Sequence, residues 1–442
     1  MDEKSILANV ANLSAEQLFE EINKGAITLD KLIHSGELDL FKKKRITELI
    51  NANAGKDDEA WENARYGNES SLRDYIVRYP AGRHVDEAKR KISELEEIRR
   101  GAMADKVELL GKIRRNSNKV SPDIIKTRLQ QNIITKEDLL DCGVPFEVVN
   151  VLDNIQLPRL ILGETPDKIP DGFTEVYFWG IPGSGKTCAL AALLSTIERA
   201  GFLNITTGPG YDYMTRLKNL FLRIPSFLPP PTREDATQYL PFVMKKPDEK
   251  FGRSVSLIEM SGEIFQCFYY KNAGQSMPSK LHDDTFNTLN TYLMSNNRKM
   301  HFFFIDYDKS NDMDDKGYTQ SDYLNAAATY FRRNKVFGKT TDAIYIVLTK
   351  TDLMPCDPAE RQEQAVQHLH DQNFMSFVNV LKDNCKTYSI NGGRLIVEPF
   401  SLGSVYFQNI CEFEGHTAEK LMNILIDRIQ PSRKSILDIL NN

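Results

Sequence analysis

The sequence contains no CxxC pair. Its six cysteines, Cys142, Cys188, Cys267, Cys356, Cys385 and Cys411, stand singly. That scatter argues against both a zinc knuckle and a disulfide framework and predicts reduced thiols. No apolar run reaches the roughly 20 residues that a membrane helix needs, so no membrane span is expected. The opening residues MDEKSILANV lack the basic n-region and long apolar h-region of a secretory signal, and a cytoplasmic protein is expected. Excess positive charge is missing too: the net charge is -5, and no nucleic-acid partner is predicted. The short basic run Lys42, Lys43, Lys44, Arg45 reads as solvated helix surface. His368 and His370 lie close together, but without further ligands they read as ordinary helix-surface histidines rather than a metal site.

What is present is a soluble-type composition, 41% hydrophobic and 26% charged, on a chain too long for one ordinary domain of roughly 100 to 200 residues. Two or three domains are expected. Residues 1–165 read as helical throughout, with apolar residues at helical spacing and Ser or Thr at segment starts. Ser14, Leu18, Ile22, Ile27, Thr28, Leu32 and Gly36 recur at one constant offset as Ser121, Ile125, Leu129, Ile134, Thr135, Leu139 and Gly143. Each set predicts two short helices: Ser14 with Gln17 makes a capping box, Ser121 precedes Pro122 at a first helical position, Thr28 and Thr135 cap the second helices, and Gly36 and Gly143 end them. The expected organisation is a helical module at 1–55, a helix pair at 56–118, a second helical module at 119–165 that repeats the first, and a different domain at 166–442.

The helix pair DEAWENARYGNESSLRDYIVRYPAGRHVDEAKRKI resembles a tetratricopeptide unit in Trp61, Ala64, Tyr75, Tyr79, Pro80, Ala88 and Ile92. One unit is fewer than the three that stacked repeats need for stability. It therefore reads as packed on its helical neighbours, in a region suited to protein contact. From Pro166, Pro170 and Gly172 onward the texture changes. Apolar runs VYFWG, VSLIE, HFFFIDY, AIYIVLT and RLIVEPF alternate with helical stretches CALAALLSTIERA, YLNAAATYFRR and AEKLMNILIDRI. Alternation of this kind predicts an α/β domain with a mainly parallel sheet covered by helices, preceded by the all-helical N-terminal region.

The first of these strands runs into Gly180, Ile181, Pro182, Gly183, Ser184, Gly185, Lys186, Thr187, a full match to GxxxxGK followed by Ser or Thr. Glycines let backbone N–H groups curl around phosphates, the lysine supplies charge at the β and γ positions, and the threonine hydroxyl ligates Mg²⁺. The helix that begins at Cys188 aims its N-terminus at the same anion. Further on, VLTKTDL places Thr349, Lys350 and Asp352 at another strand end. A carboxylate there accepts hydrogen bonds from guanine N1 and its exocyclic amine, whereas adenine offers no donor at that edge.

In these motifs the last part of the chain resembles P-loop GTPases of the Ras/Gα-like class. The resemblance implies that Thr349, Lys350 and Asp352 read guanine and that Ser401 and Leu402, in EPFSLG after the last strand, occupy the place of a loop whose backbone touches the base. It also gives a role to IEMSGE, where the family has DxxG: Glu259 stands at the Mg²⁺-side acid, Gly262 at the γ-phosphate-sensing glycine, and Glu263 where many members carry a water-positioning glutamine. Glutamate replaces the commoner residue at both acidic positions. The switch threonine reaching Mg²⁺ is expected at Thr232, with Thr207 and Thr237 as alternatives. The interval before it carries an inserted helix, YDYMTRLKNLFLRI, and Arg216, Arg223 and Arg233 are arginine-finger candidates.

The expected catalytic set is thus Lys186, Gly262 and Glu263, with Thr187, Thr232 and Glu259 on Mg²⁺. The expected function is a Mg²⁺-dependent GTP-binding switch with slow or partner-stimulated hydrolysis, working with a protein partner. The alternatives are an ATPase using Glu259 as a Walker B-type acid and a nucleotide-bound scaffold that hydrolyses nothing, in which Glu263 merely caps the following helix.

Overall fold

A computed structural model describes residues 1–152, 159–161, 163, 165–208, 210–232, 237–246 and 249–429. The chain divides into two compact units, Met1–Gly111 and Lys112–Asn442.

The first unit is helical: α1 (Glu3–Ala8), α2 (Ala15–Asn23), α3 (Leu29–His34), α4 (Leu40–Ala64), α5 (Glu69–Arg78) and most of α6 (Val85–Asn116). Ser14 Oγ accepts from Gln17 N at 3.1 Å and Gln17 Oε1 accepts from Ser14 N at 2.9 Å, closing the capping box at α2. Thr28 caps α3. Ile6, Val10, Leu18, Ile27, Leu32 and Ile46 form one core, and Trp61, Ala64, Leu72, Tyr75, Val85, Ala88 and Ile92 a second. The i, i+3 and i, i+4 spacings of Trp61/Ala64 and Ala88/Ile92 put each pair on one helix face. Helix α4 runs unbroken through residues 55 and 56, where the sequence suggests a module boundary; a Cβ on Gly55 would meet open space, and a glycine costs a helix interior only about 1 kcal/mol. The basic run opens α4 as a largely exposed stretch, with Arg45 paired to Glu16 at 3.2 Å.

The second unit begins with α7 (Pro122–Gln130), α8 (Lys136–Asp141) and α9 (Phe146–Val151), with Ser121 capping α7 and a Thr135/Asp138 capping box at α8. A seven-stranded sheet follows, built from β1 (Thr174–Trp179), β2 (Leu203–Ile205), β4 (Thr237–Met244), β5 (Arg253–Met260), β6 (Arg298–Asp306), β7 (Thr341–Thr349) and β8 (Ile396–Phe400). Its order is β2-β4-β5-β1-β6-β7-β8. The pairs β5/β1, β1/β6, β6/β7 and β7/β8 are parallel, and β4 is antiparallel to both of its neighbours. The α/β domain is therefore mostly parallel.

Helices cover both faces: α10 (Lys186–Arg199), α11 (Tyr211–Leu217) and α17 (His416–Ile429) on one, and α12 (Gly262–Ala273), α13 (Lys280–Leu293), α14 (Gln320–Arg333), α15 (Arg361–Asp371) and α16 (Met375–Tyr388) on the other. The strands alternate accordingly. Val176 and Phe178 of β1 pack into the first layer, Tyr177 and Trp179 into the second, and burial on both faces explains the continuous apolar runs. A small antiparallel sheet, β3 (Ser226–Phe227) with β9 (Gly403–Tyr406) and β10 (Ile410–Phe413), has strands too short to leave a pattern in the sequence. Among the described residues no helix is long and apolar enough to cross a membrane.

The chain leaves β1 to build the β5 side of the sheet and then returns to build the β6 side. The carboxyl end of β1 is thus a switch point in strand order, where open parallel sheets form their ligand crevice.

Candidate functional site

At that switch point Gly180–Thr187 links β1 to α10. Gly183 (φ 75°) and Gly185 (φ 83°) are left-handed, a conformation that side chains resist, and Gly185 is the N-cap of α10 without any side-chain cap. The first N–H groups of α10 thus have no intrahelical partner and no side-chain cap, which leaves them as donors for an anion at the helix start. Lys186 Nζ lies within the same turn, donating to Gly180 O at 2.8 Å and Ile181 O at 2.9 Å. Burial pushes its pKa down to about 8, while the charges of Glu259 and Glu263 pull it back up. A polyphosphate in the loop would satisfy both the open N–H groups and this desolvated ammonium.

Three side chains from three elements meet beside Lys186. Thr187 Oγ1 lies 2.8 Å from Thr232 Oγ1 and donates to Glu259 Oε1. Glu259, near the end of β5, is 1% exposed. Burial raises its pKa, and hydrogen bonds from Thr187 and Tyr213 oppose the rise. Tyr213, on α11, donates to Glu259 Oε2 at 2.7 Å; burial and the Glu259 charge push its own pKa well above the usual phenol range, so it remains a donor. Two hydroxyl oxygens and a carboxylate gathered in this way are a hard-oxygen donor set of the kind Mg²⁺ takes. Thr207 is exposed, and Thr237 heads β4 with a buried Oγ1 that has no partner; neither is bonded to this cluster. Arg216 and Arg223 are exposed, and Arg233 lies outside the described residues.

Gly262 begins α12 against the phosphate loop. A Cβ there would fall 2.0 Å from Pro182 N and 2.4 Å from Ile181 C, so only glycine permits this approach. Ser261 is the N-cap, its Oγ accepting from Ile264 N at 3.1 Å. Glu263 sits in the first turn, so the helix is capped by Ser261 and not by Glu263. The Glu263 carboxylate has no hydrogen bond or ion pair to another described residue.

On the other side of the loop the TKTD segment is tied in by its first residue. Thr349 Oγ1 bonds to Ser184 O at 3.1 Å and to Ile305 O at 3.1 Å. The hydroxyl therefore joins this segment to the phosphate loop. Lys350, left-handed at φ 58°, pairs with Asp306 at 2.8 Å and with Asp308 at 3.8 Å. Asp306 is fully buried, and burial raises its pKa against the pull of Lys350. Asp352 is exposed and makes no ion pair among the described residues. Its charge acts on Cys411, whose thiol donates to Leu402 O at 3.7 Å. Ser401 is anchored by Thr417, which donates to Ser401 O at 2.5 Å. Cys188, in the first turn of α10, has its thiol pushed up to about 12 by burial and stays protonated.

Tyr213, Asp306, Lys309 and Thr417 escape the sequence reading. Asp306 alone leaves a signal, an apolar run closing in an acid (FFFID). His368 is no simple surface histidine: its Nε2 lies 2.7 Å from Ser310 Oγ and its ring packs 4.6 Å from that of Tyr307. His370 is exposed, and the described residues hold no cluster of three His, Cys, Asp or Glu side chains arranged for a metal.

No protein-family model matches the chain. No curated protein matches it either. Solved structures do. A Methanosarcina barkeri Roco2 RocCORdC bound to GDP is 12% identical over 61% of this chain and 54% of its own, with a TM-score of 0.27. A mutation variant of SsGBP is 14% identical over 61% of this chain and 57% of its own, at 0.25. The S. cerevisiae Ski7 GTPase-like domain bound to GTP is 18% identical over 58% of this chain and 50% of its own, at 0.29. The chain thus spans little more than half the length of these structures, and at such scores none of them bears on what it does.

Proposed function

We propose that the α/β domain binds GTP with Mg²⁺ and works as a nucleotide-controlled switch. The observation that carries this reading is the hydrogen bond from Thr349 Oγ1 to Ser184 O, because it ties to the phosphate loop the segment whose Asp352 would select guanine. In this reading Gly180 to Cys188 cradle the phosphates, Lys186 neutralises them, and Lys350, Asp352, Ser401 and Leu402 hold the base. Thr187, Thr232 and Glu259 would hold Mg²⁺, which supplies charge neutralisation at the β- and γ-phosphate oxygens. Gly262 abuts the loop and would register the γ-phosphate through its N–H. Glu263, one residue on, would orient a water, and its charge close to a polyphosphate fits slow or partner-stimulated hydrolysis. A protein partner would dock on the helical region, where residues 56–118 form the tetratricopeptide-like pair.

Calorimetric titration with GTP, GDP and ATP in the presence of Mg²⁺, coupled to phosphate-release measurements, tests this. GTP and GDP should bind and ATP should not, with Asp352→Ala losing on the order of 100-fold in GTP affinity for a site built on two hydrogen bonds to a charged acceptor. Tight ATP binding without GTP binding would sink the guanine reading in favour of the ATPase alternative. Turnover unchanged in Glu263→Ala would remove that residue from hydrolysis, and no turnover in either protein would leave a bound scaffold.

A further inference from the structure

A second cation stands over the phosphate loop. Lys309 lies in the turn after β6, and its Nζ is placed so that a Cβ on Gly183 would fall 2.9 Å from it. The turn is well fixed: Asp308 N donates to Asp306 Oδ1 at 3.0 Å, and Ser310 Oγ donates to Asp306 O at 3.2 Å. The two acids that precede Lys309 in the turn are already claimed by another base, since Lys350 pairs with both Asp306 and Asp308. Lys309 acts on Asp306 only at a distance. Its backbone carbonyl accepts from Asp312 N at 3.3 Å, but its ammonium makes no hydrogen bond or ion pair with any described residue, although the residue is half-buried. An ammonium in that position, beside the loop backbone and without a carboxylate of its own among the described residues, is suited to an anion.

Resting on the nucleotide reading above, we infer that Lys309 is a phosphate-binding residue supplied in cis, and that it retains nucleotide rather than sensing the γ-phosphate. The distinction follows from where it sits. The glycine-rich backbone ahead of the loop lysine cradles the α- and β-phosphates, while the lysine reaches the β and γ positions. Lys309 lies over Gly183, ahead of Lys186, and so beside the phosphates that GDP and GTP share. Lys186 and Lys309 would therefore divide the anion between them, Lys186 from within the turn and Lys309 from the side of Gly183.

The test is nucleotide binding and dissociation kinetics of the full chain with fluorescent GDP and a slowly hydrolysed GTP analogue, for wild type, Lys309→Ala and Lys309→Arg, alongside melting of each protein without nucleotide. Loss of one charge-assisted contact is expected to weaken both nucleotides about tenfold in Lys309→Ala, through faster release. The GTP-to-GDP affinity ratio should be unchanged, the nucleotide-free melting temperature should match wild type, and Lys309→Arg should recover most of the affinity. Wild type that binds while Lys309→Ala binds equally well overturns this inference alone. So does a Lys309→Ala variant whose nucleotide-free melting temperature falls in step with affinity, or one that weakens the triphosphate only. Wild type that binds neither nucleotide overturns the function reading and this inference with it.

Discussion

The two ends of the central strands bury charge in opposite ways. At the amino end Glu175 and Lys299, both fully buried, lie 3.7 Å apart. Every charged atom there is spoken for: Glu175 accepts from Ser295 Oγ at 2.6 Å, Asn297 Nδ2 at 2.8 Å and Tyr177 OH at 2.7 Å, and Lys299 Nζ donates to Ser295 O and Asn297 O. At the carboxyl end of the same strands, roughly 20 Å away at about 3.3 Å per residue, lie Lys186, Glu259, Lys309 and Glu263. There Lys186 is bonded to the loop's own carbonyls, and neither the Glu263 carboxylate nor the Lys309 ammonium has a hydrogen bond or ion pair among the described residues. A closed network holds the sheet together; an open one leaves bonding capacity for a ligand. Buried charge alone therefore does not mark a site, and its state of satisfaction does.

The largest effect should come from breaking the closed end. Lys299→Ala leaves Glu175 as an uncompensated buried charge, which typically costs about 3–5 kcal/mol, and a urea melt should lose that much. Replacing both partners by apolar residues of similar volume, Lys299→Met with Glu175→Leu, should recover a large part of it. A single variant that melts like wild type would mean that the amino end also admits water, and the contrast between the two ends would collapse.

The sequence exposes local structure well and spatial neighbours poorly. Gly180–Thr187 is legible because eight consecutive residues carry all of its chemistry, and the five apolar runs are legible because strands buried on both faces cannot alternate. Capping at Ser14, Ser121, Thr28 and Thr135 is read from spacings within one turn. Sheet order is not local, and neither is the meeting of Tyr213, Thr232 and Glu259, which joins an inserted helix, a loop and a strand end. Thr349 shows the intermediate case. Its segment is recognisable, but its hydroxyl serves the phosphate loop, a partner far away in sequence. Lys309 leaves no sequence signal because a lone lysine in a polar turn resembles any other.

A smaller effect should separate the ends by pH. His301 follows Lys299 along β6, on the same strand face, and is fully buried. Trp179 Nε1 donates to its Nδ1 at 3.0 Å, and burial together with the Lys299 charge pushes its pKa down to about 3 from 6.5. Between those values the unfolded chain binds a proton that the folded chain refuses. Stability from this residue is therefore present above about pH 6.5 and is lost as pH falls, by about 2 kcal/mol between pH 7 and pH 5. Glu259 and Asp306, whose folded pKa values are raised, act with the opposite sign, so the informative quantity is a difference. Denaturant melts of His301→Phe should lose about 2 kcal/mol less than wild type over that interval. Equal losses would mean that the histidine is protonated or hydrated in the fold.

The smallest effect is expected at the open end. Tyr213→Phe deletes only the hydroxyl that donates to Glu259 Oε2. In a sealed interior the stranded oxygen would cost the full desolvation of a charged group, about 3 kcal/mol or more. At a crevice built to admit a ligand, water can take the donor's place, and the loss should be about 1 kcal/mol. The same substitution removes one of the two hydrogen bonds that hold the Glu259 pKa down, so if Glu259 holds Mg²⁺ as proposed, Mg²⁺ should bind more weakly at pH 6 and regain affinity toward pH 8. Urea melts and Mg²⁺ titrations at the two pH values read both effects. A stability loss as large as that of Lys299→Ala would show the carboxyl end to be as closed as the amino end, and Glu259 would then be a structural acid with no ligand to hold.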